Sequence, residues 1–170
     1  MANRPGMMVG EKEHPVQEAM LQIGQPAPDF KLLTNNRSER TLADYTGKIK
    51  IISTIPSIDT RVCSAQTKRF NEEAAHLDEN IIVLTVSADT TFALRRYCDN
   101  EGIARTETLS TYMDMGFADA YGVHDTEWRV CQRGVFVLDK ENTIRHAEYV
   151  PVLGQEINFE AALAAAKALV

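Results

Sequence analysis

Two stretches of the chain are rich in β-branched and apolar residues, KIKIISTI at 48–55 and IIVLTVSA at 81–88. Runs of this composition and length predict central strands buried on both faces. From Thr60 the period changes. Phe70, Ala74 and Leu77 recur at i, i+4 and i+7, with Glu72, Glu73 and His76 between them, which predicts an amphipathic helix. Ser57 or Asp59 is its expected N-cap, so Cys63 falls in the first turn or just before it. After the second strand, Asp89 is the expected cap of a helix over TTFALRRYCDNEG that Gly102 closes. Leu94 and Cys98 stand four apart on that helix and share a face, so this thiol is expected to be partly covered.

The remaining elements are shorter. Residues 1–25 are polar and Met-rich and read as an N-terminal extension, in which PVQEAMLQIGQPAPDF offers at most a short strand or hairpin before Pro26 and Pro28 interrupt it. FKLLTNNRSERTL predicts strand, Asn-Asn turn and strand, and ADYTG is punctuation. TETLSTYMDMGFADAYGV holds a short helix around Phe117 to Tyr121, and RGVFVLDKENTIRHAEYV is a hairpin turning at DKEN and ending at Pro151. NFEAALAAAKALV is an Ala-rich helix with Asn158 as cap and Glu160 in its first turn. The predicted order is β, β, β, α, β, α, α, β, β, α. It indicates one α/β domain over 1–170, with a mixed central sheet flanked by helices on both faces. No internal repeat or domain linker interrupts it.

Composition narrows the function. Hydrophobic residues make up 44% and charged residues 25%, the profile of a folded globular domain. With 18 basic and 24 acidic residues the net charge is -6, which argues against a nucleic-acid partner, and Arg95-Arg96 reads as a solvated helix face. No stretch approaches the roughly 18 consecutive apolar residues of a membrane span. The start MANRPGMMVGEKEHP lacks the apolar core of a secretory signal, so a cytoplasmic location is expected.

The chemistry rests on cysteine. Cys63, Cys98 and Cys131 form no C-x-x-C pair, and an odd number argues against a structural disulfide framework. The four histidines, His14, His76, His124 and His146, show no zinc-ligand spacing to them, and no metal is expected. A free cysteine is only a few per cent thiolate at neutral pH, and the thiolate is the nucleophile. The first turn of a helix favours that anion through unpaired N–H groups and the positive end of the macrodipole. Pro56 fixes a turn at the strand exit, and the Thr60 hydroxyl, three residues before Cys63, is both donor and acceptor. A helical cysteine is more often a small buried hydrophobe and a threonine there more often a cap, so the residues alone leave both readings open.

PSIDTRVCSAQTKRFNEEA, VLTVSADTTFALRRYCDNEG, RGVFVLDKENTIRHAEYV and NFEAALAAAKAL together closely resemble the thiol peroxidase subfamily of the peroxiredoxins, from about HPVQEAMLQIGQPAPDF to the C-terminus. The resemblance implies a thioredoxin-like fold with an N-terminal β-hairpin extension and an atypical two-cysteine mechanism. Cys63 matches the peroxidatic cysteine, Cys98 the resolving cysteine of the same chain, Pro56 and Thr60 the motif partners, and Arg133 the strand-borne arginine that faces the thiolate. It implies hydrogen peroxide or an organic hydroperoxide as substrate, a thioredoxin-like dithiol as reductant, no cofactor and a homodimer.

The segment RVCQRGVFVLD departs from the family pattern of small residues flanking the arginine, with Gln132 and Gly134 beside Arg133 and only Gly134 small, and Thr91 replaces a proline. Cys131 is outside the family mechanism. Strand alternation would place it on the face of Arg133, though packing as a small residue is its expected role. A thiol–disulfide oxidoreductase would require a C-x-x-C pair, whereas the segment reads VCSAQ. A non-catalytic redox-sensing protein would require a partner that reads the oxidation of Cys63 and Cys98.

Overall fold

The computed structural model describes residues 4–170. With strands numbered in chain order, β6 (Ile49–Thr54) and β7 (Ile81–Ser87) run parallel at the centre of a seven-stranded sheet, Ile49 opposite Ile81 and Thr54 opposite Val86. All of β6 is buried, including Lys50, whose ammonium donates to Asn142 Oδ1 at 2.6 Å, and Ser53 and Thr54 at its end. On one side follow β8 (Glu107–Ser110), parallel to β7, then antiparallel β4 (Leu32–Thr34) and β5 (Glu39–Arg40). On the other side lie β11 (Gly134–Leu138) and β12 (Ile144–Tyr149), the expected hairpin. The sheet is mixed, in the order β12-β11-β6-β7-β8-β4-β5.

Alternation along the strands splits the core in two. Ile51, Val83, Val135 and Val137 point to one face, where Phe70 of helix α1 (Arg61–Ala74) and Phe159, Ala162 and Leu163 of helix α4 (Phe159–Lys167) cover them. Ile52, Leu84, Phe136 and Leu138 point to the other, against Phe117 and Ala118 of the short helix α3 (Gly116–Ala120) and Tyr121. Helices therefore lie on both faces. Asn158 caps α4 as expected, its side chain accepting from the Ala161 N–H at 3.0 Å. Gly102 closes helix α2 (Thr91–Glu101) in the left-handed region, at φ 66°.

The N-terminal hairpin exists but sits earlier than PVQEAM: β1 (Met7–Val9) pairs with β2 (Lys12–His14) across Gly10, whose φ is 61°. β3 (Val16–Gln17) then joins β9 (His124–Asp125), itself paired with β10 (Val130–Cys131). Three pieces carried no clear pattern in the sequence: β8 inside TETLS, the β9–β10 pair, and a 3₁₀ turn at Leu42–Tyr45 inside the punctuating ADYTG. Each is too short to show a period and is held by neighbours distant in the chain. Among the described residues no helix is long and apolar enough to cross a membrane.

Candidate active site

The site begins where β6 runs out. The Ile55 N–H still donates to the Val86 carbonyl at 3.0 Å, but Pro56 has no N–H and the ladder stops there. The chain turns through Ser57, Ile58 and Asp59 into α1. Its N-cap is Thr60, not Ser57 or Asp59. The Thr60 hydroxyl oxygen accepts from the Cys63 N–H at 3.3 Å, which makes Cys63 the third residue of the helix. The same hydroxyl donates to the Ser57 carbonyl at 3.2 Å. Its proton is thus committed to Ser57 rather than to the sulfur, and a lone pair is left to accept a proton from a ligand.

Ser57 and Asp59 are free for other bonds because they do not cap. Asp59 pairs with Arg96 of α2 at 3.1 Å. Ser57 Oγ donates at 2.7 Å to Asp89, whose carboxylate also accepts from the Ile58 N–H at 2.9 Å and from Ser87 Oγ at 2.7 Å. Asp89 therefore does not cap α2 either. Thr90 does, accepting from the Ala93 N–H at 3.3 Å.

Cys63 is wholly buried, and Arg133 reaches it from the bend between β10 and β11. Arg133 Nη2 donates to Cys63 Sγ at 3.3 Å and to the Leu153 carbonyl at 3.2 Å, while Nη1 donates to Gln66 Oε1 at 3.0 Å. Gln66, one turn beyond Cys63 on α1, is held in turn by its donation to Ser53 Oγ of β6 at 2.7 Å. Arg133 is 1% exposed, and among the described residues no carboxylate pairs with it. A buried guanidinium with only neutral oxygens and a sulfur around it lacks a counter-charge, and a Cys63 thiolate supplies one. Arg133 Nε is buried without a partner, leaving one more N–H to donate.

Cys98 lies in the same apolar cluster as Cys63, with Ile55, Ile58, Leu94, Tyr97 and Ile103, and is more fully covered than its helical spacing suggested. Its sulfur is 3.3 Å from Thr108 Oγ1, and both thiols are free. The Tyr97 hydroxyl bridges the two helices, donating to the Ser64 carbonyl at 3.1 Å.

Cys131 does not share the site. It packs in the α3-side core with Phe136 and Tyr121, because β10 ends at Cys131 and β11 resumes only at Gly134, and the bend between them shifts the alternation. Burial pushes its thiol well above the ordinary range. Gly134 has a positional reason to be glycine: a Cβ there would stand 2.6 Å from the Glu148 carbonyl oxygen and 3.3 Å from Thr54 Oγ1. Gln66 and Asp89 went unseen as site residues in the sequence. The i, i+3 spacing from Cys63 is the signal that could find Gln66, whereas nothing in the sequence separates Asp89 from an ordinary cap.

The model of the AhpC/TSA family matches residues 23–147, a span holding Pro56, Thr60, Cys63, Cys98 and Arg133. The chain belongs to the AhpC/TSA family. A thiol peroxidase of Streptococcus pneumoniae is 53% identical over 149 residues, covering 88% of this chain and 91% of that protein. A thiol peroxidase of Bacillus subtilis is 51% identical over 150 residues, covering 88% and 89%. The crystal structure of a peroxiredoxin-like protein from Aquifex aeolicus matches with a TM-score of 0.84 at 30% identity, covering 92% of each chain. The expected thioredoxin-like α/β class, a mixed sheet flanked by helices, is thus the fold of this AhpC/TSA chain.

Proposed function

We propose that Cys63 is the peroxidatic cysteine of this chain and Cys98 its resolving partner. The chain is a thiol-dependent peroxidase, an oxidoreductase of antioxidant function. In the proposed cycle the Cys63 thiolate attacks one oxygen of a hydroperoxide. The O–O bond breaks, the departing oxygen takes a proton and leaves as water or an alcohol, and the sulfur becomes a sulfenic acid. Cys98 then attacks that sulfur, expelling water and closing an intrachain disulfide. A dithiol reductant of thioredoxin type reopens it by exchange.

The observation that carries this reading is the buried Arg133 guanidinium, 3.3 Å from Cys63 Sγ and without a carboxylate partner among the described residues. It offsets the charge of the thiolate and donates to the oxygen onto which charge moves. The Thr60 lone pair accepts the peroxide proton and orients the attack, and Pro56 ends the strand so that the loop can present Thr60. The substrate class is hydrogen peroxide and alkyl or lipid hydroperoxides. Val62, half-buried beside Cys63, is available to an alkyl group, whereas Ile58 is turned into the core. A homodimer belongs to the same reading, with exposed Phe92 and Met113 as its candidate apolar contacts.

One equivalent of cumene hydroperoxide added to the reduced protein, followed by peptide mapping without reduction, tests the cycle. A Cys63–Cys98 crosslink with Cys131 free is the expected result. Oxidation of Cys63 without that crosslink would remove Cys98 from the mechanism, and an unreacted Cys63 would remove the whole assignment.

A further inference from the structure

Asp89 stands outside the expected catalytic set, yet it is the residue through which the two cysteine-bearing helices are joined at their starting ends. Its backbone immediately precedes Thr90, the cap of the helix that carries Cys98. Its side chain turns away from that helix and takes three donors: Ser57 Oγ at 2.7 Å, the Ile58 N–H at 2.9 Å and Ser87 Oγ at 2.7 Å. Ser110 Oγ donates to its carbonyl and so ties it to the end of β8. No cation pairs with the carboxylate among the described residues, so these donors alone satisfy it. A carboxylate held this way is rigid, and it fixes whatever supplies the donors.

What it fixes leads to the sulfur in three steps. Ser57, anchored through its hydroxyl, offers its carbonyl to the Thr60 hydroxyl at 3.2 Å and to the Thr60 N–H at 3.2 Å. The Thr60 hydroxyl, thereby oriented, accepts from the Cys63 N–H at 3.3 Å. Turning the Ser57 carbonyl would release the Thr60 proton and rotate its lone pairs away from an incoming peroxide.

Resting on the reading of Cys63 as the peroxidatic thiol, we propose that Asp89 is a positioning residue for the peroxide reaction, acting through Ser57 to orient the Thr60 hydroxyl. It touches neither sulfur nor substrate. Asparagine in its place keeps the shape but, with its oxygen held by the Ile58 N–H and Ser87 Oγ, turns an N–H₂ toward Ser57, whose hydroxyl must then accept instead of donate and loses the charged anchor that sets its orientation.

The test compares two reactions of Cys63 in the reduced full-length protein, with cumene hydroperoxide and with iodoacetamide, in wild type, Asp89→Asn, Ser57→Ala and the double variant. Alkylation needs the thiolate but not the Thr60 geometry. The expected result is a peroxide rate constant about 10- to 100-fold lower in Asp89→Asn. Its alkylation rate should stay within about 2-fold, and the double variant should be no worse than the more impaired single one. Equal losses in both reactions would mean a general disturbance of the helix start and overturn the proposal, as would additive losses in the double variant. Ser57→Ala removes only a hydroxyl and keeps the question open to measurement if Asp89→Asn fails to fold: a peroxide rate within 2-fold of wild type would overturn the proposal by itself. Wild-type Cys63 failing to react with peroxide would overturn the reading beneath it instead.

Discussion

Replacing Arg133 by lysine is the sharpest single-residue change available at the site. Lysine keeps the charge but cannot divide planar donors among Cys63, Gln66 and Leu153, which lie in three directions around the guanidinium. The second-order rate constant with hydroperoxide should fall by about 10²- to 10³-fold in stopped-flow fluorescence or competition assays, the loss typical of removing one charge-stabilising donor. Cys131 should behave in the opposite way. Alanine there should leave peroxide turnover unchanged, because the thiol packs in the other core. Its effect should appear in the pH dependence of stability. A thiol raised by burial stays protonated in the fold while the unfolded chain ionises, so stability is full below about pH 8.5 and falls as pH rises above it. The drop in Tm between about pH 8.5 and 10 should be smaller in Cys131→Ala than in wild type, read by differential scanning calorimetry. An equal drop in both proteins would show that another group sets it.

At the scale of elements, the thiol is placed by where β6 stops and where α1 starts. Pro56 ends the ladder, as PSIDTRVC predicts, and Thr60 opens the helix where Ser57 or Asp59 is the expected cap. Ser57 and Asp59 are equally good cap residues by type, and only contacts with Asp89 and Arg96 draw them away. Thr60→Ala should cost about 1 kcal/mol of stability in urea unfolding through loss of the cap. Gly134→Ala should cost about 1–3 kcal/mol by overpacking, because an added Cβ would meet the backbone of β12 at 2.6 Å. That strain is adjacent to Arg133, so the peroxide rate should fall along with stability, and an alanine variant as active as wild type would show that the strand yields freely.

Across the whole molecule, the sulfurs of Cys63 and Cys98 ride on separate, well-formed helices joined by the Tyr97–Ser64 bridge and by Arg96 with Asp59 of the loop before α1. A disulfide needs Cα atoms roughly 4.4–6.8 Å apart in a restricted geometry. Oxidation is therefore expected to unwind part of the first turns of α1, the segment around Cys98, or both. Amide exchange should be faster in 60–67 or 94–101 of the disulfide form than of the reduced form, with the central strands unchanged. Equal protection in both forms would mean that the helices already hold the sulfurs within bonding reach.

The sequence by itself determined the elements with long periods and the chemistry tied to them. Two runs rich in β-branched residues mark the central strands, since such side chains fit a sheet buried on both faces. The 3.6-residue pattern after Thr60 put Cys63 at a helix start, and the order of strands and helices set the class of fold. Tertiary structure decided what depends on meetings across the chain. It brought Arg133, 70 residues beyond Cys63, to within 3.3 Å of the sulfur, with no carboxylate beside it among the described residues. It also broke strand alternation at Gln132, sending Cys131 into a different core from Cys63, and it turned Asp89 from a cap into an anchor for the loop beside it. Periodicity is a local property and can be read from neighbours along the chain. The partner of a buried charge, and the direction a short polar side chain takes among equivalent local options, are settled only by which distant groups pack beside them.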